Sequence, residues 1–210
     1  MPIAKFGRAV FLDRDGVINE NRDDYVKVWD EFQFLDGALA ALARLACADF
    51  HIVVVSNQSA IGRALTPRER VEEIHHRMLA QIESSGGRVD RVLYCPHRAE
   101  EGCPCRKPSP GMLLQAHEEL GVNLAQSYFV GDAAEDVAAA YAVGCTPIIV
   151  RTGRGEATII KLGESGLKQP VIVHDLRAAV EWILAREADM PRVERQSARE
   201  ASSVGVSAGR

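Results

Sequence analysis

Short apolar, β-branched runs alternate along most of the chain with longer stretches in which apolar residues return every three or four positions. That rhythm predicts a parallel sheet assembled from strand-helix-strand units. The first run, Arg8 to Leu12, stops at Asp13. Ile52 to Val55 is apolar at every position, as a strand covered on both faces must be, and it ends at Ser56. Further strands are predicted at Val89 to Tyr94, Ser127 to Val130, Pro147 to Val150 and Val171 to Val173. Helices are predicted at about Gly37 to Cys47, from Thr66 to about Glu83, from Ser109 and Pro110 to about Leu120, from Ala133 to Val143, and after an Asp175 cap. In the second of these, Thr66 is expected to cap, Pro67 to occupy the first turn and Glu69 to complete a capping box. Together these elements predict an α/β, Rossmann-like, three-layer α/β/α fold with a mainly parallel sheet. Residues 1–189 read as a single domain, and the polar, small-residue stretch 190–210 reads as a disordered tail.

Composition narrows the function classes. A chain of 210 residues with a formal net charge of -4 predicts no electrostatic footprint for nucleic acid or an anionic membrane surface. A bound phosphate would have to be held by local groups. The start of the chain carries no charged leader followed by an apolar stretch, and no segment is long enough to cross a bilayer. Three of the five cysteines fall close together beside His97, which favours a metal site over a disulfide framework and points to the cytoplasm.

The segment Phe11-Leu12-Asp13-Arg14-Asp15-Gly16 sets two carboxylates two residues apart, just past a buried strand. Two acids so placed can divide the work of phosphoryl transfer. Asp13 can attack phosphorus and form an aspartyl-phosphate, while Asp15 protonates the leaving alkoxide and later deprotonates water. An isolated Asp-x-Asp-Gly is more often a turn, but three further segments fall at strand ends or helix starts in an order that would converge on one sheet edge. Ser56 and Asn57 can hold phosphate oxygens after a strand. Arg106 and Lys107 precede a helix, where the lysine can neutralise a transferring phosphoryl group. Asp132 can join Asp13 in coordinating a hard cation. The bland readings are a solvated charge for Lys107 and a dipole-favoured helix acid for Asp136, and the bland reading is kept for Glu135.

Cys95-Pro96-His97, then Cys103-Pro104-Cys105, supplies three thiols and one imidazole, a set that suits a closed tetrahedral and therefore structural zinc site. Cys47 and Cys145 read as core residues, and His75 and His76 as solvated on a polar helix face.

Taken together, the ordered set from Phe11 to about Arg151 resembles the haloacid dehalogenase superfamily of phosphatases. Within it, the zinc loop running into Cys105-Arg106-Lys107-Pro108-Ser109-Pro110-Gly111-Met112 is similar to the branch that holds the heptose bisphosphate and histidinol-phosphate phosphatases. The resemblance implies a Mg²⁺-dependent phosphatase with Asp13 as nucleophile, Asp15 as general acid/base, Ser56 as phosphate-binding hydroxyl, Lys107 as cation and Asp132 as metal acid. It also implies that the backbone carbonyl of Asp15 joins Asp13 and Asp132 around Mg²⁺. Between Asp15 and Ser56, and between Ser56 and Lys107, there is room for about one helix each, so a capless site is expected, with Arg106 near a second phosphate or a sugar hydroxyl. Departures are Ala60 where relatives carry glycine and Ala133 where they carry lysine. The expected substrate is a small phosphorylated sugar, a heptose 1,7-bisphosphate losing its C7 phosphate, acted on by a monomer with neither nucleic acid nor membrane as partner. Histidinol phosphate is the alternative substrate, and a non-catalytic, zinc-stapled binding module is the alternative from another class.

Overall fold

The computed structural model describes residues 7–164 and 168–189, so the tail expected at 190–210 lies outside the described residues. Among the described residues six strands form one sheet: β1 (Ala9–Leu12), β2 (His51–Asn57), β3 (Arg91–Cys95), β4 (Tyr128–Gly131), β5 (Thr146–Val150) and β6 (Val171–Val173). Their order is β3-β2-β1-β4-β5-β6, and every pairing is parallel.

Strand alternation explains why Ile52 to Val55 is apolar at every position. Val10, Leu12, Ile52, Val54, Val130 and Val150 pack on one face of the sheet against α1 (Ala38–Ala46), α2 (Arg68–Ser84) and α6 (Leu176–Asp189). Ala9, Phe11, Val53, Val55 and Phe129 enter the other face, under α3 (Gly111–Leu120) and α4 (Ala134–Ala142). Because both faces are covered, the middle of each central strand is apolar, and polar residues such as Ser56 and Asn57 come only at the ends. The result is the three-layer α/β/α architecture that the sequence predicted.

Four local expectations need correction. Thr66 does not cap α2, because its hydroxyl donates instead to the Lys27 carbonyl at 2.9 Å and ties two loops together; the helix starts after Pro67 without a side-chain cap. Cys47 is exposed at the C-terminus of α1, one residue past the apolar stripe. His75 is buried, not solvated, because α2 turns that position toward Arg14. A helix that the pattern did not predict, α5 (Gly155–Glu164), covers Ile149 and Val137 through Leu162. Its Thr158-Ile159-Ile160 run is β-branched and flanked by glycines, a composition with weak intrinsic helix preference.

The topology fixes where chemistry can occur. The chain runs outward from β1 through β2 to β3, and after β4 outward the other way through β5 to β6, so the order reverses between β1 and β4. Ligands of open parallel sheets bind beyond the carboxyl ends of the strands at such a reversal. Asp13 follows β1, Asp132 follows β4 and Ser56 lies near the end of β2.

Candidate active site

Leu12 pairs in register with Val130, and the Asp13 amide donates to the Val130 carbonyl at 2.9 Å. That pairing carries Asp13 and Asp132 to the same rim. One ligand oxygen each from Asp13, Asp132 and Asp136 lies within 4.8 Å of the others, and all three side chains are buried.

Lys107 joins this group from the loop before α3. Its side chain is 2% exposed, which excludes a solvated surface charge. The ammonium sits 2.9 Å from Asp13 Oδ1 and 2.7 Å from Asp136 Oδ1, and it donates to the Val55 carbonyl at 2.9 Å. Two carboxylate oxygens and one carbonyl thus surround the ammonium. Asn57 braces the lysine, since its amide donates to the Lys107 carbonyl and accepts from the Lys107 N–H, each at 3.1 Å. Asp13 Oδ1 accepts a further 2.7 Å bond from the Arg14 backbone N–H.

Asp136 is a site residue that sequence reasoning treated only as a helix acid. Its Oδ2 accepts from the backbone N–H groups of Asp132 and Ala133, at 3.2 and 3.1 Å, so it closes the start of α4 while its other oxygen faces Lys107. A side chain at position 131 would collide with it, and Gly131 leaves the space. Asp132 is oriented from the loop after β5: Arg154 N–H donates to its Oδ2 at 2.7 Å, and Gly153, at φ +58°, passes so close that a Cβ there would overlap the carboxylate. Thr152 latches the same loop to the Gly16 carbonyl at 2.6 Å.

The Asp15 carboxylate stands apart from the acid cluster. It accepts from Arg14, Asn19 and Gln58, each at 2.9 Å, and Gln58 also reaches the Ser56 hydroxyl at 2.8 Å. Any part Asp15 takes in metal binding would therefore come through its backbone carbonyl.

Burial dominates the electrostatics. It pushes Asp13 up to about 7, with Lys107 opposing and Asp136 and Asp15 assisting. Asp132 is pushed up to about 8 by burial and by the nearby charges of Asp13 and Asp136. For Asp15 burial also acts upward, but the Arg14 guanidinium and the hydrogen bonds outweigh it and its carboxyl lies below the ordinary range. Lys107 is shifted upward, its burial outweighed by Asp13 and Asp136. Three carboxylates around one ammonium leave a formal excess of two negative charges, which a divalent cation would neutralise. An all-oxygen, anionic donor set suits a hard ion such as Mg²⁺.

The four soft donors also meet. Sγ–Sγ separations among Cys95, Cys103 and Cys105 are 3.2–3.5 Å, and His97 Nδ1 lies 3.5 Å from Cys95 Sγ and 3.3 Å from Cys105 Sγ. A zinc tetrahedron with ~2.3 Å metal–sulfur bonds has edges of roughly 3.8 Å, so the donor set fits that ion with small outward shifts. Arg106 bonds the His97 carbonyl at 3.2 Å and so faces this loop. The loop adjoins the acid site, because Gln58 N–H donates to the Cys95 carbonyl at 2.7 Å.

The fold and the acid rim define a haloacid dehalogenase-like hydrolase, and a HAD-hydrolase-like family model matches residues 104–179. The chain belongs to this family of phosphatases. It is 42% identical over 175 residues to the D-glycero-beta-D-manno-heptose-1,7-bisphosphate 7-phosphatase of Pseudomonas aeruginosa, covering 83% of this chain and 97% of that protein. The Escherichia coli protein of the same name is 36% identical over 198 residues, covering 90% and 95%. Among solved structures, the D,D-heptose 1,7-bisphosphate phosphatase of B. bronchiseptica, complexed with magnesium and phosphate, has a TM-score of 0.80 at 39% identity, covering 85% of this chain and 99% of that one.

Proposed function

We propose that this chain is a Mg²⁺-dependent phosphomonoester hydrolase that removes the C7 phosphate of D-glycero-D-manno-heptose 1,7-bisphosphate. The observation that carries the reading is the meeting of Asp13, Lys107 and Asp132 at one buried rim, where Lys107 lies 2.9 Å from the Asp13 carboxylate. The substrate comes from the relatives, which bear the name of that activity and align over most of their length.

In this reading an Asp13 oxygen attacks phosphorus, the bond from phosphorus to the sugar oxygen breaks, and Asp15 gives that oxygen its proton. Asp15 then takes a proton from water as the water attacks phosphorus, the bond to Asp13 breaks, and inorganic phosphate leaves. Lys107 balances the charge gathering on the phosphoryl oxygens. The Ser56 hydroxyl holds one of those oxygens, and Asn57 keeps Lys107 in place. Asp13, Asp132 and the Asp15 carbonyl would hold Mg²⁺, which supplies further charge neutralisation at the phosphoryl group. Cys95, His97, Cys103 and Cys105 would hold a structural Zn²⁺. The enzyme is a cytoplasmic monomer whose residues 1–189 act as one domain. Thiols kept reduced as zinc ligands suit that compartment.

Hydrolysis of heptose 1,7-bisphosphate and of histidinol phosphate, measured side by side with Mg²⁺, tests the substrate; preference for histidinol phosphate overturns it. Asp13→Asn should lower phosphate release by on the order of a thousandfold or more. Equal, negligible rates for wild type and Asp13→Asn on every phosphate ester would leave the zinc-stapled binding module as the better account.

A further inference from the structure

The chemistry proposed above uses the residues on either side of Arg14 and gives Arg14 itself no task. Yet Arg14 is fully buried, the largest such side chain among the described residues. Its Nη2 lies 2.9 Å from both oxygens of Asp15, and its Nη1 lies 3.1 Å from His75 Nε2. A guanidinium has donors only, so Nε2 must be the unprotonated nitrogen of His75 and must accept. His75 is itself buried on α2, with its ring 5.2 Å from that of Tyr94. The Arg14 Nε has no partner among the described residues.

As a packing element this is a poor choice. Burying a guanidinium is costly, an ion pair seldom outperforms apolar side chains of the same volume, and an unmet N–H adds to the cost. What the arrangement achieves is control of one carboxylate. Asn19 donates to Asp15 Oδ1 and Gln58 to Oδ2, but each of these amides also serves another acceptor, Glu20 O and Ser56 Oγ respectively. Among the described residues Arg14 alone touches both oxygens, through the single Nη2, so it sets the position of the carboxylate head with a charge-assisted contact, while Asn19 on one oxygen and Gln58 on the other set its rotation.

We infer that Arg14, held in turn by His75, is the positioning residue that holds the Asp15 carboxylate in place for proton transfer at the ester oxygen. The inference rests on the reading of Asp15 as general acid/base. It assigns His75 a supporting place: a neutral acceptor that sets the direction of the guanidinium.

The test exploits leaving groups. An aryl phosphate such as p-nitrophenyl phosphate releases a stable anion and needs no acid to phosphorylate Asp13, whereas an alkyl phosphate does. In Arg14→Gln, turnover of an alkyl phosphate should fall about 100-fold with KM nearly unchanged. The first-turnover burst of p-nitrophenol should persist and be followed by a slow steady state, because water attack still needs Asp15. Burst amplitude counts active sites, so poor folding is not mistaken for slow chemistry. His75→Leu should lose about tenfold on the alkyl ester, and His75→Gln, whose amide oxygen can accept from Arg14, should recover most of it. If Arg14→Gln does not fold, this His75 pair decides by the alkyl-to-aryl ratio of first-turnover rates. Equal slowing of the first turnover of both substrates, or no slowing of either, would reduce Arg14 to a structural residue. Asp15→Asn is the control: if it leaves alkyl turnover intact, the acid/base reading falls and this inference with it, whereas a slow Asp15→Asn beside an unaffected Arg14→Gln overturns the inference alone.

Discussion

The thiol loop draws Cys95, His97, Cys103 and Cys105 from one short segment and leaves three of the four half-buried, while the acid rim draws Asp13, Asp132 and Asp136 from two strand ends far apart in sequence and buries them all. The two clusters therefore owe their geometry to different forces. Around the acid rim, the β1–β4 register, the Lys107 ion pairs and the backbone donors of Arg14, Ala133 and Arg154 fix each carboxylate whether or not a cation is bound. The thiol loop has few such braces between Pro96 and Lys107, and 3₁₀ and turn structure spans the interval. Its four donors are held chiefly by what they would share. On the proposed reading, a rim built by the fold should outlast Mg²⁺, and a loop built around Zn²⁺ should not.

Withholding each metal separately gives the largest expected effect. Omitting Mg²⁺ should drop phosphate release by on the order of a thousandfold, while the melting temperature shifts only by what ligand linkage removes, and readdition should restore the rate. Stripping zinc with a stronger chelator, or Cys103→Ser, should instead expose the amides of the loop to rapid hydrogen exchange and lower the melting temperature. Activity should follow, because the loop abuts Gln58 and Lys107. Equal melting shifts for the two treatments would break the distinction.

Lys107→Met sharpens it from the acid side. Removing the ammonium leaves Asp13 and Asp136 buried without their shared partner, and breaking such a pair typically costs about 3–5 kcal/mol. Urea unfolding near neutral pH reads this directly. Cys47→Ala, at an exposed helix end, should stay within about 0.5 kcal/mol and serves as the reference. A cost for Lys107→Met below about 1 kcal/mol would mean that the rim is not held together by that ion pair.

How much of each region the sequence disclosed follows from the same contrast. Four soft donors in one loop are visible as spacing. The strands that deliver Asp13, Ser56 and Asp132 are visible because covering both faces makes every position apolar, and the end of such a run marks the sheet edge. Asp136 was not visible as a site residue, because facing Lys107 requires a helix start to bend back over Gly131; the only signal was a second acid four residues after Asp132. His75 escaped because α2 carries charged residues on most of its surface, and one turn of it dips beneath the rim to meet Arg14. Helix α5 escaped because tertiary packing on Ile149 overrides a β-branched local sequence.

The smallest expected effect concerns that buried histidine. Burial first, and then the Arg14 charge, push His75 from its ordinary 6.5 down to about 3. A depressed folded-state pKa means that the unfolded chain binds the proton more readily, so the associated stability is present above about pH 6.5 and is lost as pH falls toward 3. His75→Gln cannot titrate. Between pH 6 and 4 the gap in unfolding free energy between wild type and His75→Gln should therefore close, or reverse in favour of the variant, by on the order of 1 kcal/mol per pH unit at most. Asp15, whose carboxyl is also lowered, adds a slope of the same sign, as would a thiol loop holding the proposed Zn²⁺. Both are common to the two proteins and cancel in the difference. Urea unfolding at several pH values checks this, and parallel slopes would mean that position 75 takes up its proton in the folded state as easily as in water, contrary to a neutral acceptor locked against Arg14.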